Sequence, residues 1–167
     1  PEMGGEGIKP YQPAGLWSAL MHPASNTKRY VADKGEKLYR RSLYVYWKRT
    51  SPHPMMTLFD APSRESSCVK RSRTNTSLQS LGLFNETQRV EMGRKLAERI
   101  LKEAGEDRGR LDLLFTLLAC RKANDNERQA CQGLLDAMRN RYKEAEKDAI
   151  ALLSTGEAAR DEKLNPA

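Results

Sequence analysis

Few residues with reactive side chains are spaced in a way that indicates a reaction. The chain contains three cysteines, Cys68, Cys120 and Cys131, and two histidines, His22 and His53. They form neither a Cys-x-x-Cys pair nor the Cys-x-x-Cys-His sequence that attaches haem. A zinc site would have to gather Cys68, His53 and a third ligand from distant positions. The isolated spacing favours the alternative, in which each cysteine acts as a small apolar side chain.

A disulfide between Cys120 and Cys131 is a second candidate. The turn between the two predicted helices that carry them is centred near Ala123, close to Cys120 and further from Cys131. With a rise of 1.5 Å per residue, antiparallel helices would leave the two cysteines about 7 Å out of register. Because that offset is unfavourable for disulfide geometry, the sequence favours free thiols.

No pattern typical of nucleophilic catalysis is present. The Gly-x-Ser-x-Gly sequence of a nucleophile elbow does not occur. His53 lies near Ser51 and between Pro52 and Pro54, but a histidine in such a loop is ordinarily structural. We therefore predict no catalytic residue, no metal ligand and no cofactor, although the sequence leaves open whether the protein belongs to an enzyme.

The most distinctive segment is a basic connector, residues 50–75. Four cations in it, Arg64, Lys70, Arg71 and Arg73, precede a predicted helix N-terminus. Free N–H groups and the helix dipole favour an anion at such a terminus, so these residues are candidate anion-binding residues. The alternative is that they donate to carbonyl oxygens and pin a long loop. We favour this alternative, because the threonine at the helix start is already needed as a cap.

Positive charge is concentrated in the first half of the chain, whose formal net charge is +7. Residues 1–78 contain 13 Lys and Arg against 6 Asp and Glu, whereas residues 79–167 contain 16 of each. A basic half attracts polyanions, although lysines and arginines also simply solvate a surface. The two helices predicted over 107–118 and 124–142 resemble a helix-turn-helix in outline. However, the second half of the chain has no net charge, and Asp125 and Glu127 lie at the start of the helix that would enter the DNA groove. We therefore predict no nucleic-acid binding.

Hydrophobic periodicity predicts an all-α, irregular helical fold of about five or six helices. Residues 1–35 are rich in proline and glycine, which predicts an extended strap with one short helix over 14–21. The apolar cluster of that helix is Leu16, Trp17, Leu20 and Met21. Residues 36–167 are predicted to form a single helical domain. No run approaches the roughly 18 apolar residues of a membrane span.

A helix is also predicted over 36–49. Its apolar face consists of Tyr39, Leu43, Tyr46 and Trp47. A strand over 44–46 is the alternative. The connector follows as one long ordered loop, because its three prolines forbid a continuous helix. We expect the aromatic face to pack on the first turns of the helix that follows Thr76, with the connector wrapped around this junction.

Five further helices are predicted from apolar stripes and capping residues. Their approximate ranges are 77–84, 86–104, 107–118, 124–142 and 145–153. The predicted N-cap residues of the first four are Thr76, Asn85, Asp107 and Asn124. Capping boxes are predicted for Thr76 with Gln79, for Asn85 with Gln88, and for Asn124 with Glu127. Gly105 is the expected end of the second of these helices.

Three runs of the sequence, 38–50, 59–65 and 71–81, resemble a known family. They read LYRRSLYVYWKRT, FDAPSRE and RSRTNTSLQSL. Together with the runs KPYQPAGLW and GEAARDEKLNP near the two ends, they are similar to the planctomycete "PSD-one" domain of unknown function. The resemblance spans nearly the whole chain. One departure is Ser77, where the family usually has a proline that favours a helix start.

The resemblance implies a place in a large exported bacterial protein with several domains. The partners would be other domains of the same polypeptide, including a cytochrome-c-like module whose haem motif is absent here. An exported or periplasmic location follows from the same likeness. Family members usually continue past Pro166 into one more apolar helix, so we expect a fragment truncated at both ends. The family offers no established reaction and no catalytic residues to carry over.

Two functions are therefore predicted for the chain. The first is a non-enzymatic binding or scaffolding module of a larger exported multidomain protein, because no triad, paired-carboxylate or metal pattern occurs. The alternative is an accessory part of a polysaccharide-degrading system that binds anionic or sulfated glycan through the basic connector. The two differ in what Arg64, Lys70, Arg71 and Arg73 contact: free side chains favour the glycan, and bonds to carbonyls or acids favour the first function.

Overall fold

The computed structural model describes residues 3–20, 22, 24–25 and 27–165 and confirms the all-α fold class. About 52% of the described residues are helical. Within the described residues there are six α-helices and no strand. Helices α1 to α6 span Pro54–Leu58, Ser77–Asn85, Thr87–Glu103, Asp107–Ala119, Asp125–Glu144 and Glu146–Leu153. None of these described helices is long and apolar enough to cross a membrane.

The chain divides into two compact units, Pro1–Arg89 and Val90–Ala167. The boundary falls inside α3, so the first unit holds the strap and the connector and the second holds most of the helical sequence. The strap over 1–35 and the single domain over 36–167 stay a prediction. Met21 of the short predicted helix and Pro166 of the C-terminal run lie outside the described residues.

The strap of the first unit folds around Trp17, which is 3% exposed. The Tyr30 ring meets it edge-on at 4.9 Å between centroids, an arrangement that aromatic pairs favour. The helix predicted over 14–21 is shorter in the structure, where a turn leads into a 3-10 helix, Ser18–Leu20. Proline and glycine before this point keep the rest of the strap irregular.

The helix predicted over 36–49 is wrong. Two short 3-10 helices, Gly35–Tyr39 and Ser42–Tyr44, occupy half of this range. Val45 then forms an isolated parallel bridge with Ile8 of the strap, close to the strand alternative. The backbone there is extended because its N–H and C=O groups bond to the strap rather than to a helical turn.

The aromatic face expected to pack on α2 is dispersed. Leu43 is 71% exposed, Tyr46 lies 5.8 Å from Trp17 between ring centroids, and Trp47 lies beneath the guanidinium of Arg64. α1 packs on α2 instead, where Met55 and Leu58 approach Gly82 so closely that a Cβ atom there would overlap Leu58. The connector thus contributes a helix of its own to the junction.

Two of the three predicted capping boxes are confirmed, and the box of Asn85 with Gln88 is wrong. Thr76 Oγ1 accepts from Gln79 N at 3.3 Å, and Gln79 Oε1 accepts from Thr76 N at 3.1 Å. Asn124 Oδ1 accepts from Glu127 N at 2.9 Å, and Glu127 Oε2 accepts from Asn124 N at 3.0 Å. Each box satisfies two backbone donors that the first helical turn leaves free, which fixes the starts of α2 and α5.

The other two predicted N-caps are wrong. Asn85 is the last residue of α2, and the carboxylate of Glu86 instead accepts from the first backbone N–H groups of α3. Asp107 is the first residue of α4 rather than its cap. Its carboxylate accepts from Arg110 at 3.0 Å and from Arg139 of α5. A carboxylate that two arginines bind is not available to a backbone N–H.

Ion pairs join α4 to α5 in the second unit. Besides Asp107 with Arg139, Asp112 accepts from Arg128 at 2.8 Å, so the two helices run antiparallel. The arginine partners hold the pKa of Asp107 well below its usual range. Ile100, Leu111 and Ala149 are buried. Two leucines of the predicted apolar stripes, Leu118 and Leu134, are mostly exposed.

Candidate functional site

The basic connector is closed by bonds between its two halves. Asp60 has a φ of 57°, in the left-handed region that aspartate tolerates better than most residues. Its carboxylate accepts from Thr74 N and Thr74 Oγ1, each at 2.7 Å. Arg71 donates to Asp60 O at 3.0 Å and also to Phe59 O. Residues 59–60 are thereby fixed against 71–74, and residues between them form an arch.

Gln79 ties this arch to α2. Its side-chain amide donates to Leu58 O and to Thr74 Oγ1, both at 2.9 Å, while its carbonyl oxygen belongs to the capping box with Thr76. The side chain is therefore engaged at both ends, and the residue is 6% exposed. These bonds from one buried amide set the position of α1, the arch and the start of α2 relative to each other.

The structure divides the four candidate cations into two kinds. Arg71 bonds to carbonyl oxygens, and the guanidinium carbon of Arg64 lies 4.9 Å from the Trp47 ring centroid, a cation–π contact. These two support the interpretation that the arginines pin the loop. The side chains of Lys70 and Arg73 are exposed and contact no protein partner among the residues that the structure describes. Anion binding by all four stays a prediction.

A depression of about 1000 Å³ lies beneath the arch. Lys70, Arg71 and Arg73 line it together with Asp60 and Phe59, and Arg64 does not. Bonds from Thr74 and the charge of Arg71 lower the pKa of the Asp60 carboxyl, so this carboxylate stays charged and occupied. The depression consequently has more positive than negative charge, and the free cations stand at its edge.

The outer face of α2 is apolar and exposed. Leu78, Leu81 and Phe84 are 62%, 58% and 79% exposed, and their spacing of three places them along one side of the helix. Gln79 and Gly82 face α1, and Leu78 and Leu81 border the depression between α2 and α1. The helix thus buries a glutamine while its larger apolar side chains stay exposed. Our sequence analysis missed this face, and the signal that was available is the Leu-x-x-Leu-x-x-Phe spacing beside a glutamine already used as a cap.

The remaining reactive side chains are not brought together. His53 is 8% exposed, and its Nε2 bonds to Tyr11 O at 2.8 Å, which holds the strap against the start of α1. Burial lowers the pKa of this imidazole. Cys68, Cys120 and Cys131 are free thiols. In the described part of the chain, no three His, Cys, Asp or Glu residues are placed to hold a metal ion.

One comparison with known proteins gives a match. The family model PSD1, "Protein of unknown function (DUF1553)", matches residues 1–135. The matched range contains the strap, the connector with its four cations, and α1 to α4 with part of α5. No curated protein and no solved structure matches the chain.

Proposed function

The chain belongs to the PSD1 family of proteins of unknown function, and we propose that it is a non-enzymatic scaffolding module. In this proposal another domain of the same polypeptide docks on the outer face of α2. The observation that carries the proposal is the exposure of three large apolar side chains of α2, Leu78, Leu81 and Phe84. The non-enzymatic part rests on the sequence, in which no triad or paired-carboxylate pattern occurs.

The helix cannot bury this face by rotating. Gln79 fixes the orientation of α2 by hydrogen bonds to Leu58 and Thr74. Leu58 lies so close to position 82 that only a glycine, which has no Cβ atom, fits there. Rolling α2 inward would break these bonds and separate the two helices. Burying one leucine or phenylalanine side chain contributes roughly 1.5–3 kcal/mol. A partner that covers this face would therefore gain stability that the first unit alone does not obtain.

Side-chain footprinting with hydroxyl radicals tests the proposal. We expect Leu81 and Phe84 to be oxidised readily in this chain alone and to be protected in the full natural polypeptide. Leu43, which is 71% exposed and lies outside α2, is the internal control and should react similarly in both. Replacing Leu81 with serine should leave the melting temperature of this chain nearly unchanged and should reduce the protection of Phe84 in the full polypeptide. Equal oxidation of Phe84 in both contexts would contradict the docking face.

A second candidate function is binding of an anionic or sulfated glycan at the arch. Its support is that the side chains of Lys70 and Arg73 lack protein partners among the described residues and stand beside the depression. Flexible exposed cations of this kind are available to sulfate or carboxylate groups without first breaking an internal bond. Arg71 would then position the arch without contacting the glycan.

Heparin affinity distinguishes this second function from a general attraction to positive charge. The double variant Lys70→Gln, Arg73→Gln should bind heparin several-fold more weakly than the unchanged chain and retain its melting temperature. The matched control is Lys28→Gln, Lys37→Gln, which removes the same charge from exposed positions elsewhere in the first unit. If the two double variants lose the same affinity, only the overall charge is acting.

A further inference from the structure

Five side chains along α3 contact a single C-terminal segment. They are Glu91, Arg94, Lys95, Glu98 and Lys102. Their partners lie within residues 158–161, and most of the contacted atoms belong to the main chain. The contacts join residues 59 to 67 positions apart in the sequence. Such a set of long-range bonds from one helix holds a segment that has no regular structure of its own.

The first part of this set is buried. Glu91 is 0% exposed and accepts from Ala158 N. Arg94, with a side chain that is 4% exposed, donates to Ala158 O and to Glu98 Oε1. The carboxylate and the guanidinium therefore hold both polar groups of one peptide residue. Gly156 permits the approach, since a Cβ atom there would lie 2.5 Å from the Glu91 carboxyl carbon and its φ is +89°.

The second part is at the surface. Lys95 Nζ donates to Ala159 O at 2.6 Å. Glu98 Oε1 accepts from Asp161 N at 3.2 Å, and Lys102 Nζ lies 2.6 Å from Asp161 Oδ2. Bonds to the lysine and the backbone lower the pKa of Asp161, so its carboxylate stays charged. The main-chain contacts make this grip largely independent of the side chains at positions 158 and 159.

The same segment forms one wall of an apolar groove of about 510 Å³ in the second unit. Leucine and methionine side chains of α3, α4 and α5 line the other walls, among them Leu101, Leu114 and Met138. Leu164 and Arg160 of the segment line it as well. The position of the groove wall is thus set by the bonds from α3.

We propose that residues 156–165, which we call the C-terminal strap to distinguish them from the N-terminal one, are latched to α3. Release of the C-terminal strap from α3 opens the apolar groove. The latch operates as a unit, because losing only the bonds at Ala158 would leave the buried Glu91 and Arg94 side chains with fewer hydrogen-bond partners at positions that are 0% and 4% exposed. Partial fraying at Ala158 is consequently unfavourable. The strap is either held along 158–161 or released from all of it, and the groove widens only in the released state.

Hydrogen–deuterium exchange and binding of the dye anilinonaphthalene sulfonate, measured on the whole chain, test the latch. The double variant Lys95→Gln, Lys102→Gln acts at exposed positions and keeps α3 intact. We expect about tenfold faster exchange of the amides over 156–161, because a charge-assisted bond and an ion pair are lost, and stronger dye fluorescence. Exchange in α4 and α5 should not change. Arg99→Gln, Glu103→Gln is the matched control, since this α3 ion pair does not touch the strap.

Two further variants separate a latch from general loosening. Ala159→Ser changes a strap side chain and should leave exchange and dye fluorescence unchanged, because only its carbonyl is held. Glu91→Gln keeps the shape of the buried side chain but weakens its acceptor, and should increase both signals more than the lysine pair. If Glu91→Gln unfolds the chain, the result of the Lys95→Gln, Lys102→Gln variant alone tests the proposal. Faster exchange of the strap with unchanged dye fluorescence would overturn the proposal, as would unchanged exchange over 156–161.

Discussion

The arch of the connector and the C-terminal strap are both irregular segments held by side chains that bond to main-chain atoms, but their surroundings differ. In the arch, Arg71 and Asp60 make these bonds at exposed positions, where water competes for every donor and acceptor. The bonds that hold the C-terminal strap come from Glu91 and Arg94 of α3, whose side chains are buried and only 0% and 4% exposed. A bond of the same type is therefore much more costly to lose in the strap.

The difference also concerns which charges remain available. All five charged side chains of the α3 set have partners in the strap or on α3. In the arch, Arg71 and Arg64 have protein partners, whereas the side chains of Lys70 and Arg73 have none among the described residues. The arch, which is held by exposed bonds and has two cations without partners, is suited to contact a ligand. The C-terminal strap is held by buried bonds, and all the charges that hold it are paired, so it is suited to fix the position of one wall of the apolar groove.

The largest effect is expected for Glu91→Ala. This change leaves the buried Arg94 with one carboxylate partner, Glu98, instead of two, and leaves Ala158 N without an acceptor, so the free energy of unfolding should fall by about 3–5 kcal/mol. Urea denaturation measures it. Glu103→Ala, which removes an exposed partner of Arg99 on the same helix, should cost less than about 1 kcal/mol. Similar losses for both variants would remove the contrast between the buried and the exposed bonds.

A smaller loss is expected where the connector is packed tightly, at Gly82. A Cβ atom there overlaps Leu58 of α1, so Gly82→Ala should destabilise the chain by about 1–3 kcal/mol. Gly93→Ala in α3 is the control, because nothing lies within 4 Å of the added Cβ atom. That variant should gain about 0.5–1 kcal/mol from helix propensity. Thermal denaturation of both gives the comparison, and a neutral Gly82→Ala would show that α1 moves freely.

Arg71→Ala should have a modest effect on stability. It removes bonds to Asp60 O and Phe59 O that are exposed, so we expect a loss of at most about 1 kcal/mol and a small fall in melting temperature. Heparin affinity should not change, because the arginine is occupied by carbonyls. An unchanged melting temperature with lost heparin affinity would reverse the assignment and make Arg71 a binding residue.

The smallest effect is a pH dependence confined to the arch. Bonds from Thr74 depress the pKa of Asp60 below its ordinary 3.8. A carboxyl whose folded pKa is depressed stabilises the fold above the unfolded pKa, and this contribution is lost as pH falls from 3.8 through the folded pKa. Protection of the Thr74 amide from exchange, followed by NMR, should decline over that range. Asp60→Asn, which keeps an acceptor but does not titrate, should abolish the dependence.

Local signals in the sequence predicted the helices well. Thr76 with Gln79 and Asn124 with Glu127 mark helix starts because their bonds join residues three apart, and these starts are correct. The helix over 36–49 was not predicted correctly, because the i, i+4 pattern of its apolar residues does not exclude an extended backbone bonded to a distant segment. The partner of Val45 is Ile8, and no local pattern reveals a bridge across that separation.

The site could be predicted only in part. The sequence identified the connector and its four cations, and it correctly offered loop-pinning for Arg71. It could not separate Lys70 and Arg73 from the others, because that depends on which carbonyls lie within reach in the folded arch. The C-terminal strap was not predicted at all. Glu91 and Arg94 look like an ordinary solvated i, i+3 pair on a helix, and only the distant Ala158 makes them interior residues.

The outer face of α2 has a consequence for the colloidal behaviour of the isolated chain. Leu78, Leu81 and Phe84 form an exposed apolar patch. The net charge of +7 produces electrostatic repulsion between copies of the chain, which opposes their association through this patch. Added salt screens that repulsion without weakening the apolar attraction. Light scattering should therefore show self-association that grows with ionic strength, opposite to the behaviour of proteins that associate through ion pairs. Phe84→Ser should raise the solubility of the chain in high salt, which would make it the more tractable form for crystallisation.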